Sequence, residues 1–223
     1  ETGKDITLGN SWKADVIIDK SYPENQDLEN YRDFALYFQD EDNILGTSFM
    51  PYLQNVAGLT GVNYRLEPWT YREDEGCELG NIFTPCVAAE GDPATPLLKA
   101  HAGDRVMINI FGAHNEQNQV FNMDGHQWRR HLDQENSDMI DAEQFGGGEY
   151  IQAFVKAGGT YNNPGTYLWL NARTPYQQAG QWGYFKVLPE GERSILPLGG
   201  ASPKGSKKTA SKEAGDDVLS MNR

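Results

Sequence analysis

RVMINIF, Arg105 to Phe111, alternates without a break: Val106, Ile108 and Ile110 fall on one face, Met107, Asn109 and Phe111 on the other. Side chains of an extended chain point to opposite sides with a period of two, so this run predicts a strand with one strongly apolar face. Outward from it, RDFALYFQ, Arg32 to Gln39, repeats the pattern, with Phe34, Leu36 and Phe38 opposed to Ala35 and Tyr37. Gln119 to Asp124, Tyr150 to Lys156, Thr166 to Asn171 and Trp182 to Leu188 are further short runs of strand character, and the chain resumes that character from Leu97. Glycine-rich turns separate them. Gly91-Asp92-Pro93-Ala94-Thr95-Pro96 is turn chemistry, because glycine allows positive φ while proline fixes φ and withholds a donor. With no long apolar pattern of helical period, the expectation is an all-β Greek-key sandwich. Tyr167, Trp169, Trp182, Tyr184 and Phe185 supply its aromatic core. Asn63 to Trp69 reads as a short edge strand ending at Pro68, and Asp133 to Asp141 as one or two helical turns.

The chain has 223 residues, 38% of them hydrophobic and 11% aromatic, enough for one sizeable core. No window approaches the roughly 18 uninterrupted apolar residues of a membrane span. Nineteen basic against thirty-two acidic residues give a net charge of -13. That balance repels nucleic-acid phosphates and anionic lipid, and favours a basic protein surface as partner. The sequence opens at Glu1 without a basic and then apolar leader, which is read as a removed leader and hence a periplasmic or extracellular protein. Cys77 and Cys86 are close enough to close a short disulfide in such a compartment.

Three regions are expected. Residues 1–30 form a polar extended arm, residues 31–190 the sandwich with long loops, and residues 191–223 a tail. From Gly199 to Lys212 the tail reads GGASPKGSKKTASK, which lacks the apolar surface needed to offset ordering entropy, so flexibility is expected there. Val218 to Met221 is a small apolar cluster that a partner could grip.

Two long stretches carry a family resemblance. GDPATPLLKAHAGDRVMINIFGAHNEQNQVFNMDGHQWRRH and NNPGTYLWLNARTPYQQAGQWGYFKVLPEG, with the entry GVNYRLEP at Gly61 to Pro68, resemble the C-terminal cupredoxin-like domain of large bacterial multicopper oxidases of the manganese-oxidase-like type. The similarity runs from about Asp33 to Leu188 and implies a cupredoxin-like β-sandwich, export, and ancestry in copper redox chemistry. Carried over position by position, it places a blue-copper histidine on Gln119, further copper histidines on Leu170, Ala172 and Tyr176, the cysteine on Asn171 and the axial methionine on Gln181. The His-x-His pair for the trinuclear cluster falls on Asn122 and Asp124. No imidazole or thiolate stands at any of these eight positions, and a blue-copper centre needs both.

The residues alone point the same way. The histidines contain no His-x-His pair, the spacing by which a strand presents two imidazoles to one metal. His126 and His131, with Asp124, could form a residual metal site if the intervening loop folded back, but Arg129 and Arg130 would repel a cation there. Asp40-Glu41-Asp42 and Glu73-Asp74-Glu75 read as solvated acidic faces, since neither has the spacing of a calcium cage. No serine sits in a nucleophile elbow, and no cysteine has a placed histidine partner.

Three functions are therefore expected in turn. The first is a copper-free, non-catalytic accessory subunit of an extracytoplasmic electron-transfer assembly, respiratory or photosynthetic, that stabilises or docks protein subunits. The second is a copper-silent domain or fragment of a larger multicopper oxidase. The third is a single-metal protein using His126. No cofactor is expected under the first.

Overall fold

The computed structural model describes residues 12–40, 60–84, 91–115 and 117–199. Its strands are β1 Lys13–Val16, β2 Tyr31–Asp40, β3 Thr60–Val62, β4 Leu98–His101, β5 Arg105–His114, β6 Gln119–Met123, β7 Trp128–Arg129, β8 Met139–Ile140, β9 Ala142–Phe145, β10 Tyr150–Lys156, β11 Gly165–Asn171 and β12 Trp182–Leu188. Two short helices, α1 Trp69–Asp74 and α2 Thr174–Gln178, lie between them.

One sheet runs β1-β2-β5-β10, with β3 on the far end of β2, and the other runs β4-β12-β11-β6-β9. Two neighbouring pairs, β2 with β5 and β12 with β4, are parallel, so their connections cross from sheet to sheet instead of turning as hairpins. The alternation of RVMINIF decides the packing. Val106, Ile108 and Ile110 are wholly buried and stand in register with Arg32, Phe34 and Leu36 of β2. Phe38 points across the gap and meets Phe121, Phe145 and Trp169 of the second sheet edge-on, at 5.3 to 6.3 Å between ring centres. Each fully buried side chain of this kind contributes about 1.5–3 kcal/mol, so the interlocked faces dominate the stability. Gly183 lies opposite Trp169, where a Cβ would come within 2.4 Å of the indole, so the cross-strand pair requires glycine. The fold is an all-β sandwich of two packed sheets.

A second apolar cluster lies on the outer side of the second sheet. Trp182 and Tyr184 point outward from β12 and are covered by Cys77, Ile82, Trp69 and Phe83, with Leu168 and Leu170 of β11 packed against them. Arg72 of α1, 1% exposed, stacks over Trp182 and pairs with Glu67. Cys77 is disulfide-bonded, while Cys86 lies outside the described residues.

Two local expectations change. Residues 63 to 69 are not a strand: Asn63 and Tyr64 take φ of 54° and 60°, which breaks the extended run, and α1 starts after Pro68. Asn63 instead caps the β2 edge between β1 and β3. It donates to Tyr37 O and Ala35 O and accepts from Tyr37 N. Residues 133 to 141 are turns ending in β8, which pairs with β7 as a separate two-stranded ribbon. The arm contributes β1 to the first sheet, with Trp12 against Phe34, so its described part rests on the chain's own core. Beyond β12, Leu196 O and Glu192 O accept hydrogen bonds from the buried Arg32 and His101. Residues 1–11 of the arm and the stretch from Gly200 onward lie outside the described residues.

Candidate functional site

The alternation of β6 and β11 sorts the eight carried-over positions into two sets. Gln119 shares the inward face of β6 with Phe121 and Met123, and Asn171 shares that of β11 with Trp169. Asn122 and Leu170 point the other way and stand directly opposite each other across the two strands. Ala172, just past β11, donates its N–H to Val120 O on the same outward side.

The inward set converges. Asn171, Gln119, Gln181 and Tyr176 are each 0% exposed, and so is Asp40 at the end of β2. The Asn171 amide nitrogen donates one hydrogen to Gln119 Oε1 and the other to Gln181 Oε1, the latter at 2.6 Å. Its oxygen accepts from Arg173 N at 3.0 Å and Val120 N at 3.3 Å, which fixes the orientation of the amide. Gln119 Nε2 then donates to Asp40 Oδ2 at 2.6 Å, and the Tyr176 hydroxyl donates to the same oxygen at 3.0 Å. Gln181 Nε2 closes the chain on Gln39 O at 2.9 Å. Four elements, β2, β6, β11 and α2, are thereby joined to one another and to Gln181, the residue before β12.

Local sequence explains each placement. At the end of β2, Asp40 continues the inward alternation of Phe34, Leu36 and Phe38, and Gln39 is buried beside it. Pro175 sits in the first turn of α2, where its missing N–H costs nothing, and the short helix lowers Tyr176 onto the network. Arg173 stacks on the Tyr176 ring at 5.1 Å and donates to Asn118 O and Gln117 Oε1, closing the loop side. Leaving a buried polar atom without a partner costs about 1–3 kcal/mol, so a set this interlinked stands or falls together.

These donors do not fit a blue-copper ion. The site offers amides, a phenol and one carboxylate, with the amide nitrogen of Asn171 directed at the two oxygens nearest it. Among the described residues, no group of three or more His, Cys, Asp or Glu side chains is placed to hold a metal ion.

The outward set does not converge in this way. Asn122 Nδ2 donates to Asp141 O at 3.0 Å, and Leu170 belongs to the cluster beneath the Cys77 segment. Ala172 and Asp124 are exposed. Partial burial, with Asp141 nearby, holds the Asp124 carboxyl above its ordinary pKa. His126 is buried, with both ring nitrogens engaged: Nδ1 donates to Asp124 O at 2.8 Å, and Nε2 accepts from Gly158 N at 3.0 Å. Tyr167 and Phe185 enclose the ring, and burial lowers its pKa. His131 is exposed on the loop after β7, so the structure gives the two histidines separate environments. Glu73 and Asp74 lie exposed on α1, and Glu41 and Asp42 fall outside the described residues.

Asp40 is the residue that sequence reasoning missed. As part of Asp40-Glu41-Asp42 it reads as solvated, yet the period of two through Phe34, Leu36 and Phe38 continues inward to position 40. That signal was present in the strand pattern.

No protein-family model matches the chain, and no curated protein matches it. Similar solved structures include a multicopper oxidase at 12% identity and TM-score 0.44, covering 69% of this chain and 43% of that one. A multicopper oxidase from Campylobacter jejuni, described as a metallo-oxidase, shows 13% identity and TM-score 0.44, with 70% and 29% covered. The McoA multicopper oxidase from the hyperthermophile Aquifex aeolicus shows 16% identity and TM-score 0.42, with 69% and 28% covered. The chain spans less than half the length of each, and likeness at these scores assigns no residue and no activity.

Proposed function

We propose that the chain is a copper-free, non-catalytic cupredoxin-like module that works by binding other protein subunits on the extracytoplasmic side of a membrane, in an electron-transfer assembly of respiratory or photosynthetic type. The observation that supports this reading is the Asn171 amide. It spends both hydrogens on Gln119 and Gln181 at the place where the sequence resemblance puts a thiolate ligand. A buried, hydrogen-bonded cross-link suits a rigid body that presents its surfaces to partners. Among the described residues no helix is long and apolar enough to cross a membrane. A second reading, a copper-silent domain of a larger multicopper oxidase, draws on the same resemblance, because the stretch it covers corresponds to one domain of a multidomain protein.

Metal analysis of the purified chain after incubation with excess cupric ion and desalting tests the proposal. Less than stoichiometric copper and no visible charge-transfer absorption are expected. One tightly held copper per chain would overturn it.

A further inference from the structure

The two sheets leave an open side between β1, an edge of the first sheet, and β4, an edge of the second. A groove of about 650 Å³ lies there, lined by Trp12 to Asp15, by Leu97 and Lys99, and by Ser194 to Leu196. Its charge runs against that of the molecule. The lining carries four cations, Lys13, Arg32, Arg65 and Lys99, against two carboxylates, Asp15 and Asp92, on a chain of net charge -13. Arg32 is occupied by Asp15 and Asp104, and Asp92 pairs with Lys186. Lys13, Arg65 and Lys99 make no ion pair among the described residues.

The groove also has the main-chain chemistry of a strand acceptor. Among the described residues β1 has β2 as its one neighbour in the sheet, and its first three residues are exposed, so its outer edge offers backbone N–H and C=O groups to an extended chain. Lysine on such an edge repels a second copy of the same edge and admits a strand of opposite charge. Trp12 and Leu97, both half-buried, supply apolar contact within the same groove.

We propose that this groove receives an extended acidic polypeptide segment of a partner protein. Its backbone pairs with the β1 edge, its carboxylates meet Lys13, Arg65 and Lys99, and an apolar side chain rests against Trp12 and Leu97. The inference rests on the binding role proposed above and names the chemistry of the partner at one surface.

The test uses the full chain and a fluorescein-labelled octapeptide alternating Glu and Val, read by fluorescence anisotropy, with a Lys and Val octapeptide as control. Saturable binding of the acidic peptide alone is expected, weakened by salt because exposed charges are screened. The double variant Lys13→Glu/Lys99→Glu should weaken it about tenfold, since two attractive contacts become repulsive. Amide exchange at residues 13 to 16 should slow on binding. No saturable binding, equal binding of the basic peptide, or an unaffected double variant with a wild-type unfolding transition would overturn the proposal.

The chain's own Glu213 to Met221 is acidic and then apolar. If Asp216→Lys/Asp217→Lys raises peptide affinity about tenfold, that segment is the occupant and the partner assignment fails. Copper measured on the same sample separates the two claims: a copper-free chain that ignores the peptide sinks this inference alone, and a copper-loaded chain that binds it sinks only the proposed function.

Discussion

Two faces of the same pair of strands tell different stories. On the inner face of β6 and β11, Gln119 and Asn171 belong to a buried network in which each amide is oriented by its neighbours and Asp40 receives two side-chain donors. On the outer face, Asn122 and Leu170 are near neighbours that share no comparable network, one bonded to the Asp141 carbonyl and the other in the apolar cluster beneath the Cys77 segment. The difference follows from solvent access. Inside, a polar group must find a protein partner because water cannot supply one, so replacements have to be mutually complementary. Outside, water or an apolar cover satisfies each position independently, and no joint solution is needed.

The largest expected break in this contrast is Asn171→Leu. It orphans the Gln119 and Gln181 oxygens and two backbone donors, and should cost about 3–5 kcal/mol in urea unfolding. A loss below about 1 kcal/mol would mean that the network relaxes or admits water. Tyr176→Phe removes one buried donor to Asp40 and should cost about 1–3 kcal/mol, with the unfolding slope unchanged.

His126 sharpens the comparison through pH. Burial lowers its pKa in the folded protein, so below about 6.5, the ordinary histidine value, the unfolded chain binds more protons than the folded one. Its contribution is therefore complete above that pH and is lost as pH falls through the lowered folded value. His126→Gln should flatten the dependence of unfolding free energy on pH between 7 and 5, and an unchanged profile would show that the ring titrates alike in the folded and unfolded chain, so that burial does not shift it.

Asp124 has the opposite sign. Its raised folded pKa means that ionisation opposes folding, so its contribution is present in acid, below the ordinary carboxyl range, and is lost as pH rises through the folded value. Asp124→Asn should stabilise slightly at pH 7, by an amount that shrinks in salt and disappears at pH 3. The smallest effect is expected at Asn122→Ala, within about 0.5 kcal/mol of wild type, as for surface positions generally.

Much of the sandwich was legible in advance because a strand with one buried face must alternate. β10 and β12 have the bounds expected from their runs, and β2 and β11 extend theirs by a residue or two. The edge strand expected at residues 63 to 69 failed for a nonlocal reason. Asn63 takes a left-handed backbone to cap β2, a requirement set by a strand some 25 residues away in sequence, and α1 is held by Arg72 against Trp182 of β12. The eight candidate positions were legible as missing donors, but their separation into a joined set and a scattered set was not.

What the sequence determined by itself is the alternation that makes the sheets and the donor types available at each position, since both are properties of single residues and their nearest neighbours. Tertiary structure alone decided that Asp40, about 80 residues before Gln119 and more than 130 before Tyr176, would become their common acceptor. Hydrogen bonds between side chains depend on angles and distances of a few ångströms, and only the packed sheets bring segments so remote into that range.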